Sequence, residues 1–551
     1  MYKEPDYLKR CKMYNSRREI LYKVANRVVM IVGSVIFGWL LWYAARYTHY
    51  MVPLEVEKSL VLHDSTWINI LAVILFFSFF SFLVFVEKKI SKRVQNVIVC
   101  GVIFIAVVWT WFVCRWWVCA VERTPEADQL YLSAAASYFI DGEYFFLNPP
   151  GAYLAVYPYQ KALTFLLELL YRIFGTFNYF AVQKFLIFFP CGIIVAGYLV
   201  LREITDSMAS AVSYSLLMMA CFPLFFYTPW IYGDVPSIFF MLLTTWSLLR
   251  CVKTGHYRWI VCVVSFSTLG LMVRKNCSIY IAALCIVAVV CFICKKEKKI
   301  LIAALLSILI PWLVYAGIYK MYEVRSGFEQ SKGLPTITWF DMGMHDHDGN
   351  YGWEDTSAFN MYVENGFDEK KTEEAAREHI REHLKNFSKN PSYTATFFRE
   401  KILSQWDVPT YQSLFFTANY RPDNRPKEGS LALKVSTEYY FKVLEICDVL
   451  QVIIFCGMLL YFLAAVRGDG NLVQHIPAIN AIGVFLFSII WEAKSRYIFP
   501  CYVTMFPLAI VGYREFYLIV SGKLVLMHNK RKADKSKREE ELMRDLSSAQ
   551  N

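Results

Sequence analysis

The segment "VQNVIVCGVIFIAVVWTWFVCRWWV", residues 94–118, decides the fold class of this chain. It is apolar along nearly its whole length, and a helix of about 20 apolar residues crosses a hydrocarbon core of roughly 30 Å. The segment therefore predicts a transmembrane helix. Charged residues return directly afterwards, in "VERTPEADQLYLSAAASYF", residues 121–139. The chain is expected to leave the membrane there.

Apolar runs of this length recur along the chain. Of its 551 residues, 56% are hydrophobic and only 19% are charged, whereas soluble domains are nearer about 45–50% and about 25%. We therefore expect an all-α polytopic membrane protein with about twelve transmembrane helices. The expected spans are 24–47, 67–86, 94–118, 178–201, 207–227, 235–251, 257–273, 277–294, 300–319, 443–466, 474–491 and 497–520.

Lys and Arg residues predict how these helices are oriented. Basic residues that flank transmembrane helices are retained on the cytoplasmic side, and the clusters at 87–93, 250–258 and 295–299 are consistent with one another on that side. Both termini are basic as well and are expected to be cytoplasmic. The stretches 119–177 and 320–442 then lie outside, in a multi-pass protein of the cell membrane.

Much of the net charge of +11 lies in the two tails. Beside transmembrane helices such charge indicates contact with anionic lipid, and we expect no nucleic-acid partner. The first 23 residues carry many charges and no apolar core, so no cleavable signal peptide is expected. The fifteen cysteines lie mostly in apolar segments, which indicates small buried residues rather than disulfides or a zinc site.

Two further regions are expected on the outer side. Residues 157–175 would invert everything downstream if they spanned the membrane, so we interpret them as an interfacial or partly re-entrant helix. Residues 320–442 are too long for a simple connection and predict either a solvated cover or a lid that binds an acceptor. The chain thus divides into 1–93, an N-terminal cytoplasmic tail with two transmembrane helices; 94–319, a transmembrane core with the first outer loop at 119–177; 320–442, an extracytoplasmic cap; 443–520, the C-terminal transmembrane helices; and 521–551, a basic cytoplasmic tail.

The first outer loop begins with a helix signal. Thr124 suits an N-cap, Pro125 the first helical position and Glu126 the acidic first turn. Apolar residues follow at helical spacing, which predicts an amphipathic helix over 124–140 at the outer interface. Asp128 then has two interpretations. It is either an ordinary acid of the first turn or the catalytic carboxylate of an enzyme at the membrane face.

Basic residues in very short outer loops favour the catalytic interpretation. Arg274 and Lys275 lie in one such loop. Lys494 and Arg496 lie in another, and the positive-inside rule disfavours both placements. An anionic ligand would explain them, because Arg pairs bidentately with phosphate; the alternative is a misplaced span boundary. Asp234, in "TPWIYGDVPSIFF", is a second acid expected at the same face.

Acids and cations that converge on one membrane face suit sugar transfer from a polyprenyl phosphate. Such a donor keeps its tail in the bilayer and its phosphate at the interface. A carboxylate acts as general base on the acceptor hydroxyl, and cations stabilise the charge that gathers on the leaving phosphate. One dominant acid favours a single displacement with inversion, because retention needs a second, nucleophilic carboxylate close by.

The order of these motifs resembles the GT-C superfamily of membrane glycosyltransferases. The most similar branch contains the dolichyl-phosphate-mannose protein mannosyltransferases and the bacterial aminoarabinose transferase acting on lipid A. The motifs are individually short, and their order along 94–300 and 474–520 carries the resemblance. They are "PEADQLYLSAA", "NPPGAYLAVYPYQKALTFLLELLYRIFG", "LVLRE", "GDVP", "VRKN" and "SRYIFP".

The resemblance implies a GT-C-like fold in which Asp128 is the catalytic acid and Arg274 and Arg496 contact the donor phosphate. Gln129 departs from the Asp-Glu pair common in the family motif, which argues against a role that needs a second adjacent acid. Asp234 is the other candidate catalytic acid. The candidate donor-phosphate ligands are Arg274, Lys275, Lys494 and Arg496. The 320–442 region is similar only to loosely related bacterial members, so the acceptor does not transfer.

The cap contains further candidate residues. The loop "MGMHDHDGNYGWED", residues 342–355, is rich in His and carboxylates, which suit a divalent metal. Consecutive residues rarely all face one ion, however, so we favour a polar lid or acceptor loop and expect no required metal or cofactor. The aromatic residues at 390–412 favour interface packing over stacking on a saccharide. The candidate acceptor or lid residues are Glu126, Tyr157, His345, His347, Trp406 and Tyr411.

Three classes of function remain open for such a protein. The preferred hypothesis is a hexosyltransferase that moves a sugar from undecaprenyl or dolichyl phosphate to a glycan, lipid or protein acceptor at the extracytoplasmic face. The alternative is a transporter or flippase of lipid-linked saccharides, which predicts ionisable residues near mid-bilayer and related halves. Here the charges gather at one face and the halves look dissimilar. A non-catalytic scaffold leaves the outward basic residues unexplained.

Overall fold

Helices make up nearly all of the regular structure. The computed structural model describes residues 6–53, 57–418, 426–466 and 472–548, with side-chain surroundings between residues 18 and 522 of these ranges. Two antiparallel hairpins pair β1 (Tyr47–Tyr50) with β2 (Leu60–His63) and β3 (Asp346–His347) with β4 (Asn350–Tyr351). The helices are α1 (Asp6–Ala44), α2 (Thr66–Glu87), α3 (Lys92–Val121), α4 (Ala127–Ile140), α5 (Tyr153–Val156), α6 (Lys161–Phe174), α7 (Tyr179–Leu186), α8 (Phe188–Ile204), α9 (Met208–Met219), α10 (Phe222–Phe226), α11 (Asp234–Thr254), α12 (Arg258–Val273), α13 (Cys277–Lys295), α14 (Lys298–Ser326), α15 (Ile337–Met342), α16 (Ser357–Glu364), α17 (Glu369–Lys389), α18 (Pro391–Trp406), α19 (Ser413–Ala418), α20 (Leu431–Ser436), α21 (Tyr440–Ala465), α22 (Ile476–Ile490) and α23 (Ser495–Ser548).

Ten helical segments of the described chain are long and apolar enough to cross a membrane. The all-α polytopic membrane fold expected from the sequence is thus confirmed. The ten segments are Arg18–Ala44, Thr66–Glu87, Lys92–Val121, Tyr179–Ile204, Asp234–Thr254, Cys277–Lys295, Lys298–Ser326, Tyr440–Ala465, Leu472–Ile490 and Ser495–Gly522.

The two other expected spans, 207–227 and 257–273, correspond to shorter helices. α9 has 12 residues and α12 has 16, and at 1.5 Å per residue they extend about 18 Å and about 24 Å. α9 stops before Pro223, which occupies the first turn of the short helix α10, because proline cannot continue the hydrogen bonding of a helix interior. Over the described ranges the count of spanning-length helices is therefore ten rather than twelve.

Close packing holds the membrane helices together. α11 packs against α8 and α12, and α21 packs against α1 and α23. Where α21 and α23 cross, a Cβ at Gly512 would overlap the carbonyl oxygen of Gly457. Small residues at such crossings let helix backbones approach closely in a membrane, where lipid tails remove the hydrophobic drive to associate.

The helix of the 119–177 loop begins later than the sequence predicted. α4 begins at Ala127, and the residues directly before it are not helical. Glu126 takes the N-cap position, but its carboxylate lies 2.6 Å from Arg123 Nη2. The expected N-cap at Thr124 and helical position of Pro125 are therefore wrong. Glu126 reaches the buried Arg123 from an extended backbone conformation. Local helix propensity does not predict this contact.

The segment 157–175 contains one short helix rather than a span. α6 has 14 residues and extends about 21 Å, less than a hydrocarbon core. It packs against α4, and its buried Glu168 pairs with Arg325, whose Nη2 lies 2.8 Å away. α4 and α6 thus form one layer fastened to the end of α14. The interfacial position of this layer remains a prediction.

The cap begins after α14, which continues to Ser326. It contains α15 to α20 and the β3–β4 hairpin. The β1–β2 hairpin joins it through His49, whose backbone N–H donates to the Asp407 carbonyl over 2.8 Å and whose Nδ1 lies 3.1 Å from Asp407 Oδ2. Trp353 pairs with Ala493 in an isolated bridge. The cap is thereby attached to the loop that precedes α23.

Candidate active site

Two acids and two arginines from four helix termini converge on one place. Asp128 lies in the first turn of α4 and Asp234 is the first residue of α11. Arg274 follows the last residue of α12, and Arg496 is the second residue of α23. Arg274 Nη1 lies 2.7 Å from Asp234 Oδ1. Arg496 Nη2 lies 3.6 Å from Asp128 Oδ2. Helix ends thus bring the distant sequence motifs together.

Two tyrosines join these ion pairs into a single site. The guanidinium carbon of Arg274 lies 5.7 Å from the centre of the Tyr232 ring and 5.5 Å from that of Tyr497. Arg496 lies 5.2 Å from Tyr232 and 5.8 Å from Tyr497. All four distances are in the range of cation–π attraction. Because both cations share both rings, the two arginines are neighbours.

In the described part of the chain, both arginines have side-chain hydrogen-bond donors without a partner. Among the described residues, Nε and Nη2 of Arg274 and Nε of Arg496 are buried and have no hydrogen-bond partner. Buried polar groups in proteins are nearly always hydrogen-bonded, so these nitrogens are suited to an additional acceptor. Two adjacent guanidinium groups with free donors match the oxygens of a phosphate.

The two acids differ in their surroundings. The Asp128 side chain is 39% exposed, and its Oδ1 accepts a hydrogen bond from the Tyr153 hydroxyl over 3.1 Å. The Asp234 side chain is only 1% exposed. It is held there by close packing, because a Cβ at the preceding Gly233 would overlap the carbonyl oxygen of Val273. Asp128 is accessible to a substrate, whereas Asp234 faces Arg274.

Glutamines hold the surrounding backbone. The Gln129 side chain accepts a hydrogen bond from the backbone N–H of Ile231 over 2.8 Å, which fixes α4 against the loop before α11. Gln412 accepts from the backbone N–H of Arg496 over 3.0 Å and donates to Glu57 Oε1 over 2.6 Å. Gln129, which departs from the family motif, therefore has a structural partner in this chain.

Lys494 is surrounded by carboxylates rather than left available. Its Nζ lies 3.2 Å from Glu354, 3.6 Å from Glu57 and 3.8 Å from Glu492. Burial alone would lower the pKa of the Lys494 ammonium, but these three acids raise it above its ordinary range. Burial raises the pKa of Glu492 to about 7. A donor phosphate would have to compete with these three carboxylates for the Lys494 ammonium.

Lys275 is directed elsewhere. It is exposed, and its Nζ lies 5.1 Å from the centre of the Tyr315 ring on α14. Its neighbour Arg274 is buried. The two side chains leave the turn after α12 in different directions, so adjacency in sequence does not place both in one site.

The candidate acceptor and lid residues do not lie together in one place. Tyr157 is partly buried, and its ring packs 5.1 Å from that of Tyr153 beside Asp128. His345 belongs to a separate cluster in the cap, and His347 is exposed. Glu126 is paired with Arg123, as described above.

Trp406 and Tyr411 correct the sequence-based assignment. Both are 0% exposed. The Trp406 indole donates to Ser488 Oγ over 3.1 Å, and the Tyr411 hydroxyl accepts from Gln451 over 2.7 Å. Because both rings are fully buried, neither is accessible to a saccharide. Their spacing in the sequence reflects packing between helices.

Several residues of the site escaped sequence reasoning. Tyr232 and Tyr497 lie inside quoted motifs, within two residues of Asp234 and Arg496, but an aromatic ring carries no signal of its own in so aromatic a chain. Tyr153 and Gln412 are far from Asp128 and Arg496 in sequence. The turn sequences "WIYGD" and "SRYIF", where a tyrosine lies one or two residues from a charged residue at a helix start, are the available signal.

Part of the chain that contributes to this site is similar to a known protein family. Residues 162–315 match the sequence profile of the dolichyl-phosphate-mannose-protein mannosyltransferase family. The resemblance to the GT-C superfamily is confirmed. The matched segment contains α11 and α12, which carry Asp234 and lead into Arg274. The match covers less than a third of the chain, and over that part the chain is similar to this mannosyltransferase family.

A weak match to a solved structure extends over a longer part of the chain. That structure is the archaeal oligosaccharyltransferase AglB from Archaeoglobus fulgidus, in complex with an inhibitory peptide and a dolichol-phosphate. The similarity has a TM-score of 0.37 at 14% identity and covers 79% of this chain and 52% of AglB. This chain therefore spans about half the length of that protein. A search of curated protein sequences returns no match.

Proposed function

We propose that the chain transfers a hexose from a polyprenyl phosphate to an acceptor hydroxyl at the extracytoplasmic membrane face, with inversion at the anomeric carbon. One observation carries this proposal. The exposed carboxylate of Asp128 lies 3.6 Å from a buried arginine whose neighbour also has unused donors. The family match to phosphoprenyl-sugar transferases supports the donor class.

Arg274 and Arg496 are the proposed ligands of the donor phosphate. Nε and Nη2 of Arg274 and Nε of Arg496 have no hydrogen-bond partner among the described residues. A cavity adjoins Arg274 between membrane helices, and Ser237, Met241, Ile279, Val484 and Phe487 contribute to its lining.

Asp128 is the proposed general base. In the transfer its carboxylate takes the proton from the acceptor hydroxyl, the acceptor oxygen forms a bond to the anomeric carbon, and the bond from that carbon to the phosphate oxygen breaks. The electron pair leaves with the phosphate, where the two arginines stabilise the growing charge. Tyr153, which donates to Asp128 Oδ1, orients the carboxylate.

The environment of Asp234 supports inversion. Retention requires a second carboxylate that attacks the anomeric carbon directly, but Asp234 is 1% exposed and paired with Arg274. Asp234 is therefore proposed as a positioning residue for Arg274 rather than as a nucleophile. By the same reasoning Lys494, held by three carboxylates, positions the loop before α23.

Purified protein in detergent, supplied with a radiolabelled polyprenyl-phosphate hexose, tests the proposal. Asp128→Asn should lower the turnover number by roughly 10²–10⁴-fold, the contribution expected of a general base. Asp141→Asn, an exposed residue at the other end of α4, is the matched control and should keep full activity. A flippase would show no donor turnover in detergent, and a fully active Asp128→Asn variant would refute the assignment.

A further inference from the structure

A second polar cluster lies in the cap and is formed by residues from two separate elements. Asp341 belongs to α15, and His345 follows that helix. His379 and His383 lie one turn apart on α17, so both point to the same side of that helix. The packing of α15 against α17 brings these four side chains together.

Three members of the cluster, Asp341, His345 and His379, each offer a ligand atom within 4.8 Å of the others, and His383 lies beside them. His345 Nε2 and His383 Nε2 lie 3.6 Å and 3.9 Å from Asp341 Oδ1. His379 Nδ1 lies 3.4 Å from Asp341 Oδ2. Hydrogen bonds between N–H and O are shorter, about 2.7–3.2 Å. Ligands about 2.0–2.2 Å from a tetrahedral Zn²⁺ stand roughly 3.3–3.5 Å from one another, which is close to these separations.

The Asp341 carboxylate is buried, and within the described chain one of its oxygens has no hydrogen bond. Its side chain is 2% exposed, and among the described residues its Oδ1 has no hydrogen-bond partner. Burying a carboxylate without compensation is costly, and buried charges are normally paired or bound to metal. The three imidazoles lie 3.4–3.9 Å from this acid, longer than an ordinary N–H···O hydrogen bond and compatible with a shared cation.

A further acid orients one of the imidazoles. His345 Nδ1 lies 2.7 Å from Asp355 Oδ2, so its other nitrogen, Nε2, is directed to Asp341. Histidines that bind metal commonly donate their second N–H to a carboxylate, which fixes the tautomer and the ring orientation. Asp355 has the position of such an outer partner.

We propose that Asp341, His345, His379 and His383 bind one Zn²⁺ ion. Three imidazoles and one carboxylate fill a tetrahedron, which is the arrangement of a structural zinc site, and nitrogen and oxygen ligands of this kind suit Zn²⁺. The His379 side chain is half exposed, which gives the ion a path from solvent. The alternation in "HDHD" alone could not reveal the site, since two of the ligands come from "EHIREH" on another helix.

The ion would fasten the cap beside the candidate active site. The loop between His345 and α16 carries Glu354, whose carboxylate lies 3.2 Å from Lys494 Nζ. The same loop carries Trp353, which pairs with Ala493. Lys494 and Ala493 directly precede α23 and Arg496. Zinc that ties this loop to α17 therefore stabilises one wall of the site, without contact to the reacting atoms.

Zinc binding by the full chain in detergent tests this proposal. After treatment with a chelator and gel filtration, the protein is titrated with ZnCl₂ in competition with a chromophoric chelator, and bound metal is counted by mass spectrometry. The wild type should bind one Zn²⁺ per chain. His379→Ala and His383→Ala should each weaken binding by more than the roughly 10–100-fold that loss of an outer partner costs, and Asp355→Asn by about that amount.

His347→Ala is the matched control, because His347 is exposed in the same loop and should leave zinc affinity unchanged. Zinc should also slow proteolysis of the 345–357 loop in the wild type and not in His379→Ala. Equal zinc binding by the wild type and the His379→Ala/His383→Ala double variant would overturn the site, and the cluster would then be a hydrogen-bonded histidine group. No sugar donor is needed, so the result is independent of the proposed transfer reaction.

Discussion

Exposure separates the two acids that the sequence placed on the same face. Asp128 is accessible and hydrogen-bonded to Tyr153, whereas Asp234 is enclosed with Arg274. Sequence motifs gave both residues the same candidate role, since a motif contains no information about burial. The pairing of Asp234 with Arg274 depends on the fit of Gly233 against Val273, which only the packed helices establish.

The arginine pair gives a direct prediction at this scale. Arg496→Ala should lower kcat/KM for the polyprenyl-phosphate donor by roughly 10²–10³-fold, the usual cost of removing one group that stabilises a developing oxyanion. Arg496→Lys should recover only part of this, because a lysine lacks the bidentate fork. The measurement is initial-rate kinetics over a range of donor concentration.

Arg250→Ala is the control for this prediction. Arg250 is also on a membrane helix and paired with an acid, with its Nη1 3.3 Å from Glu203 Oε1, but at the far end of α11. Its replacement should leave kcat/KM within about threefold of wild type, because surface ion pairs contribute little. An Arg496→Ala variant as active as Arg250→Ala would remove the phosphate role.

At the level of elements, the sequence predicted correctly those features that depend on a single local segment. An apolar run of spanning length is a property of one segment, and all ten spanning-length helices of the described chain fall on expected spans. The start of α4 was missed because an ion pair to Arg123 outweighs the local cap signal. Trp406 and Tyr411 were misassigned because aromatic spacing does not distinguish a core face from a binding face.

The crossing of α21 and α23 yields a stability prediction. Gly512→Ala should lower the free energy of unfolding by about 1–3 kcal/mol, the usual cost of overpacking, because the new Cβ would overlap the Gly457 carbonyl oxygen. Thermal unfolding of the protein in detergent, followed by gel filtration of a fluorescent fusion, measures the change.

Gly522→Ala is its matched control. Gly522 lies on the same helix, and nothing in the described structure comes within 4 Å of a Cβ placed there. Alanine is the better helix former, so this variant should unfold at the wild-type temperature or slightly above. An unchanged unfolding temperature for Gly512→Ala would show that the two helices do not cross as closely as described.

At the scale of the whole molecule, the site is assembled from parts that are distant in sequence. The 119–177 loop, two short loops between membrane helices, the cap and the start of α23 all contribute residues to it. Short apolar or basic patterns indicated that these loops share one membrane face, but not which side chains meet. The histidine cluster of the cap shows the same limit, since its two halves are separated by α16.

Orientation in the membrane is the prediction that belongs to this scale. An epitope inserted after the exposed Gly366 of the cap should bind antibody on intact cells. The same epitope after Glu297, in the basic cluster 295–299, should bind only after permeabilisation, because the positive-inside rule retains that loop in the cytoplasm. Antibody binding with the opposite pattern would invert the assigned topology.

The most direct measurement of the central claim is an experimental structure of the protein with bound polyprenyl phosphate. The proposed mechanism predicts phosphate oxygens about 3 Å from Arg274 Nη2 and Arg496 Nε, with Asp128 facing the position of the sugar. A phosphate bound away from both arginines, with their donors still unused, would contradict it.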